Sequence, residues 1–185
     1  MKIFGIGFHK TGTTSLAQAL KMLGFSVTGP NGINDPNIAD NARSLIQALV
    51  TQYDAFQDNP WPIFYKELVQ EVPDGKFILT YRDPKKWIHS QVRHFGKNET
   101  PMRRWIYGKG CPEGNESIYL KRYQQHNREV VEHFKKINKP LLIMNLEKGH
   151  GWDRLCSFLD FPLPDVPFPH ANKAEARERS LVQRP

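Results

Sequence analysis

Apolar positions along the chain alternate between short unbroken runs and longer stretches at helical spacing. "KIFGIGF" (Lys2 to Phe8) is a compact apolar run, the pattern of a strand covered on both faces. Beyond a glycine-containing loop, Leu16, Ala19, Leu20 and Leu23 recur at helical spacing, and Gly24 follows as a stop. "SVTGPNGINDPN" (26 to 37) is turn chemistry and reads as a loop. "IADNARSLIQALVTQY" reads as a helix, "DAFQD" as a brief buried strand, and "WPIFYKELVQEVP" as a helix ending at Pro73.

"KFILTYRDP" (Lys76 to Pro84) is the clearest strand, and Pro84 suits the first turn of the helix "PKKWIHSQVRHF". Residues 96 to 114 read as an irregular polar surface loop. A long helix follows from about Ser117 to Ile137, with Tyr119, Tyr123, Val130, Val131, Phe134 and Ile137 as its apolar stripe. "KPLLIMNL" is a fourth strand, and "GWDRLCSFL" carries Trp152, Leu155 and Leu159 on one helical face. Strands alternating with helices imply one α/β domain over 1–185, with a mainly parallel sheet between two helical layers. Residues 160–185 form a proline-rich, then charged, tail that wraps the domain or hangs free.

Composition narrows this little. The 185 residues carry a formal charge of +7, so the surface attracts anions: nucleic acid, an anionic membrane, or a phosphorylated small molecule. Cys111 and Cys156 form no C-x-x-C pair and no disulfide framework, and they read as two reduced thiols. No apolar run approaches the roughly 18 residues that cross a bilayer. The N-terminus lacks a signal-like h-region, and the expectation is a cytoplasmic chain without membrane insertion.

The chemistry concentrates in "GFHKTGTTSLAQAL" (Gly7 to Leu20). A Walker A loop reads G-x-x-x-x-G-K-[ST]. Here Gly7 and Gly12 keep the spacing, but Thr13 takes the lysine position and Lys10 lies inside the loop. A strand running into this loop and then a helix makes an anion site from backbone N–H groups and the helix dipole. Thr13, Thr14 and Ser15 add hydroxyls on the first turn. A plain glycine turn with hydroxyl caps is the competing explanation.

"FHKTGTTSL" resembles the 5′-phosphosulfate loop of the sulfotransferases, P-K-[ST]-G-T-T, with His9 where proline is usual. The family also holds a 3′-phosphate with an arginine ending a strand and a serine one or two turns later. "FILTYRDPKKWIHS" supplies Arg82 and Ser90 in that order. The resemblance is motif-specific for roughly residues 3 to 25 and 76 to 92.

What it implies is a P-loop-like sulfotransferase fold and transfer of a sulfuryl group from 3′-phosphoadenosine 5′-phosphosulfate (PAPS). The product would be adenosine 3′,5′-bisphosphate, and no metal is expected. His9, Lys10, Thr11, Gly12, Thr13, Thr14, Ser15, Arg82 and Ser90 would bind the donor. Lys10 would also stabilise charge on the departing phosphate.

Asp58, beyond the second strand, would be the base, with His9 and His126 as alternatives. The other histidines, His89, His94, His133, His150 and His170, read as surface or structural. Trp61, Phe64, Trp105, Tyr107 and Tyr119 would line the acceptor pocket, or else belong to the core. Loops 26–37 and 96–114 would close as lids, and Asn172, Lys173 and Arg177 of the tail could reach the 3′-phosphate. The acceptor is a small molecule, carbohydrate or lipid carrying a hydroxyl or amine. The rival readings are a kinase or nucleotide hydrolase with an altered P-loop, a non-catalytic nucleotide binder, and a nucleic-acid binder, for which no motif is present.

Overall fold

A computed structural model describes residues 1–170. Five parallel strands, β1 (Ile3–Gly5), β2 (Val27–Thr28), β3 (Ala55–Phe56), β4 (Lys76–Thr80) and β5 (Leu141–Met144), form one sheet in the order β2-β3-β1-β4-β5. The helices are α1 (Thr13–Met22), α2 (Ile38–Val50), α3 (Tyr65–Glu71), α4 (Pro84–Phe95), α5 (Pro101–Tyr107), α6 (Glu116–Lys136) and α7 (Trp152–Leu159). The chain order reverses beside β1, whose neighbours are β3 and β4. This is the place in a parallel sheet where a crevice opens beyond the strands' C-terminal ends.

Strand alternation sorts the core by size. Ile3, Ala55 and Ile78 face one way, against Leu16, Ala19 and Leu20 of α1 and Leu155, Cys156 and Leu159 of α7. Phe4, Phe56 and Phe77 face the other way, against Ile46 of α2, Leu68 of α3, and Val130 and Phe134 of α6. Phe4 is paired in register with Phe56 and Phe77, and its ring stacks on theirs at 5.0 and 5.1 Å. All three rings are fully buried. Each such side chain contributes about 1.5–3 kcal/mol through burial alone.

The sequence pattern and the structure differ in three places. Two residues of the 26–37 loop pair as β2, so the strands among the described residues number five. Within 96–114 lies α5: the Thr100 side chain accepts from Arg103 N at 3.2 Å, Pro101 opens the helix, and Gly108 closes it at φ 74°. On α6, Val131 and Ile137 are each 40% exposed, while His126 and Asn127 are buried in the stripe with Tyr119, Tyr123, Val130 and Phe134.

The segment after α7 wraps back on the fold. Phe161 packs on Phe25, Trp152 Nε1 donates to Val166 O at 2.8 Å, and Phe168 meets Trp152 edge-on. Asn172, Lys173 and Arg177 lie outside the described residues.

Candidate active site

β1 delivers the chain to the crevice, and the sequence after it forces a tight loop. Gly7 passes against Thr80, whose carbonyl oxygen would lie 2.3 Å from a Cβ at this position. Gly12 sits at φ 104°, a conformation that disfavours any L side chain, and a Cβ there would also meet Leu146 at 2.6 Å. Between the two glycines, Lys10 adopts φ 65°, also in the left-handed region. Such a residue costs about 1–3 kcal/mol and persists where its surroundings over-determine it.

Those surroundings are built around His9. Its carbonyl accepts from Trp87 Nε1 at 2.9 Å and from Gln91 Nε2 at 3.1 Å, both on α4. Its ring is 5% exposed and held at both nitrogens. Asn59 Nδ2 donates to Nδ1 at 3.1 Å, and Nε2–H donates to Tyr107 Oη at 3.0 Å. Burial, and then the nearby Arg103 and Lys10 charges, push its pKa down to about 3, so the ring is neutral. His9 therefore acts through the loop it fixes.

Thr11 is anchored likewise. Its hydroxyl donates to Phe8 O at 2.6 Å and accepts from Thr80 Oγ1 at 2.6 Å, which leaves its backbone as its contribution to the crevice. Helix α1 then begins with no side-chain cap and no acidic residue in its first turn. Its leading N–H groups and dipole thus offer an anion site.

Asp58 follows β3, also in the left-handed region at φ 64°. Its carboxylate accepts from Thr13 Oγ1 at 2.8 Å and from Asn59 N at 2.7 Å. Burial raises its pKa above the ordinary 3.8; the two hydrogen bonds and Lys10 oppose the rise without cancelling it.

His126 lies in the core. Its Nε2–H donates to Ile6 O at 2.8 Å, its ring stacks on Phe8 at 4.2 Å, and burial pushes its pKa down to about 4. Of the three base candidates, His9 and Asp58 line the crevice, and the Asp58 carboxylate keeps lone pairs beyond the two bonds it accepts. Both ring nitrogens of His9 are bonded, and His126 commits its Nε2 to Ile6 O within the core.

Arg82 follows β4. Tyr123 Oη accepts from its N–H at 3.0 Å and donates to its carbonyl at 2.8 Å, which fixes the backbone. Its guanidinium bonds Glu147 through Nε at 3.0 Å and NH2 at 2.9 Å, and NH1 reaches Lys10 O at 3.5 Å. Ser90 stands two turns into α4.

The residues expected to bind the donor, His9 to Ser15, Arg82 and Ser90, together with Asp58, line one cavity of about 610 Å³. Its far wall comes from the two loops expected to flank the acceptor, Pro30 and Ile33 from 26–37 and Met102 and Arg103 from 96–114; the sequence reading missed Phe95, and Glu147 beside Arg82. The five aromatics expected there lie elsewhere. Trp61, Tyr107 and Tyr119 are buried in the core, while Phe64 and Trp105 pack together at 6.1 Å. Arg103 pins the 96–110 segment by donating to Gly110 O and Asn98 O, with its guanidinium over the Phe95 ring.

The two buried histidines, His9 and His126, give a stability prediction. Each ring is neutral in the folded chain down to about pH 3 or 4, whereas the unfolded chain takes up the proton near 6.5. Stability from both is complete above pH 6.5 and is lost as pH falls through that window, by on the order of 5 kcal/mol by pH 4.5. Thermal midpoints measured from pH 7.5 to 4.5 should fall steeply below 6.5, and less steeply in a His126→Gln variant. A flat profile would contradict the assignment.

Among the described residues, no three His, Cys, Asp or Glu side chains gather as a metal would need, and no helix is long and apolar enough to cross a membrane. Comparison with known proteins agrees with the geometry. A family model described as a sulfotransferase domain matches residues 2–113 and 100–177. "Ava biosynthesis cluster protein M" of Aspergillus versicolor is 25% identical, over 97% of this chain and 84% of its own length. A phosphate-type loop after β1, an arginine after β4, a shared cavity between them and a family match over most of the length lead to one assignment: the chain belongs to the sulfotransferase domain family.

Proposed function

We propose that the protein transfers a sulfuryl group from PAPS to a hydroxyl or amine of a small-molecule acceptor. The observation that carries this reading is the single cavity that gathers Lys10, the open start of α1, Arg82 and Asp58. The donor set suits a nucleotide bearing two separate anionic groups. The first turn of α1 and Lys10 hold the 5′ side, and Arg82 with Ser90 holds the 3′-phosphate. An arginine fork is suited to bidentate phosphate binding.

Transfer breaks the bond between sulfur and the 5′-phosphate oxygen and forms one between sulfur and the acceptor atom, while the acceptor's proton leaves. Lys10 faces the oxygen on which negative charge grows, where an ammonium in a partly dry site is most effective. Asp58 takes the acceptor's proton; burial raises its pKa and makes its carboxylate a stronger base than an exposed aspartate. Thr13, bonded to Asp58, links the base to the donor loop. The apolar wall of Ile33, Phe95 and Met102 seats the acceptor. The relative's place in a biosynthesis cluster is in keeping with a small acceptor.

Calorimetry tests the nucleotide. Adenosine 3′,5′-bisphosphate should bind at least tenfold more tightly than 5′-AMP, and more tightly than ATP with magnesium. Tighter ATP binding would favour a kinase or hydrolase instead. Arg82→Ala should bring the bisphosphate down to the affinity of 5′-AMP, with the fold retained because Tyr123 holds the backbone of residue 82. Undiminished discrimination in that variant would remove Arg82 from the site.

A further inference from the structure

Glu147 has no part in the reading above, yet it occupies the arginine on which that reading depends. It lies on a 3₁₀ turn, Leu146–Lys148, directly after β5. Glu147 N donates to Asn145 Oδ1 at 3.0 Å, and Leu146 packs under Gly12. The turn's backbone is thereby fixed at the rim, and the carboxylate reaches inward on a flexible side chain. Its Oε1 accepts from both Nε and NH2 of Arg82, at 3.0 and 2.9 Å. Its Oε2 lies 3.4 Å from Lys86 Nζ. The paired edge of the guanidinium is therefore filled by an anion that the chain itself supplies.

A phosphate seeking that edge meets a carboxylate already in the same geometry. The contest is unequal. The side chains of Arg82 and Glu147 are 30% and 32% exposed, so the pair is screened and weak. A phosphate monoester carries a charge of about −1.5 to −2 and three acceptor oxygens. It displaces the carboxylate and gains Lys86 as well as Arg82. A nucleotide without a 3′-phosphate leaves the pair intact.

We infer that Glu147 sets the affinity for the 3′-phosphate and its release: it is a carboxylate placeholder that holds Arg82 and Lys86 in the empty site, yields to a 3′-phosphate, and returns to help expel the spent nucleotide. This rests on the proposed use of a 3′-phosphorylated donor. A built-in competitor lowers affinity for the bisphosphate product, and product release limits turnover in many enzymes.

The test is calorimetry on wild type and Glu147→Gln with adenosine 3′,5′-bisphosphate and with 5′-AMP, at low and at raised salt. The variant should bind the bisphosphate about tenfold more tightly, change its affinity for 5′-AMP less than twofold, and lose most of the gain at 0.5 M salt. Bisphosphate binding that is unchanged or weaker in the variant would overturn the inference, the weaker result meaning that Glu147 orients Arg82. Equal tightening for both nucleotides would also overturn it, since that is a general charge effect. Should wild type fail to prefer the bisphosphate over 5′-AMP, the donor reading falls and this inference falls with it. A wild-type preference with an unresponsive variant removes only the role of Glu147.

Discussion

Lys10→Ala lowers sulfuryl transfer by about 10²–10³-fold, the loss expected when one preorganised donor to a developing oxyanion is removed. The effect should fall mainly on kcat, because the first turn of α1 and Arg82 still hold the nucleotide. Stability should change little. Alanine keeps the Cβ and so the same backbone penalty at φ 65°, and the loop remains anchored at His9 by Trp87, Gln91, Asn59 and Tyr107. Single-turnover kinetics with a thermal midpoint on the same preparation checks both halves. A variant that transfers within threefold of wild type would place the cation elsewhere.

Asp58→Asn is expected to lose activity and gain stability together. Removing a positioned base costs about 10²–10⁴-fold in transfer. The stability gain follows from the raised pKa of Asp58. The folded chain holds this proton to higher pH than the unfolded chain does, so between 3.8 and the raised value stability falls as pH rises. Above the raised value the whole penalty of a buried charge persists. Asparagine carries no charge, still accepts from Thr13 or Asn59 N, and is well tolerated at positive φ such as the 64° found here. A gain of about 1 kcal/mol would raise the thermal midpoint by roughly 2–4 °C at pH 7. The gain should vanish below about pH 4, where wild type is protonated too. An active variant, or an inactive one less stable than wild type at pH 7, would sink the assignment of Asp58 as a buried base.

What the sequence could and could not reveal follows from where the information sits. The loop from Gly7 to Ser15 was readable because glycine spacing, one cation and four hydroxyls lie within nine consecutive residues. Arg82 and Asp58 were readable because each closely follows a strand, and parallel strands deliver their loops to one edge. The same rule, applied to β5, would have pointed to Glu147, whose neighbours Arg82 and Lys86 come from sixty residues earlier in the chain. Helix α5 was hidden by Gly96, Gly108, Gly110 and Gly114 around a seven-residue span, although Thr100 and Pro101 form a sound start signal. His9 reads as a ligand in a phosphate loop; only the fold brings Asn59, Tyr107 and α4 to it and makes it a buried brace.

The most direct measurement is a crystal structure with adenosine 3′,5′-bisphosphate bound. The account predicts the 5′-phosphate on the turn from Lys10 to Ser15, the 3′-phosphate on the guanidinium of Arg82, and the Glu147 carboxylate turned away. A nucleotide bound outside this cavity, or one seated in it with its 3′-phosphate in solvent and Arg82 still joined to Glu147, would contradict it.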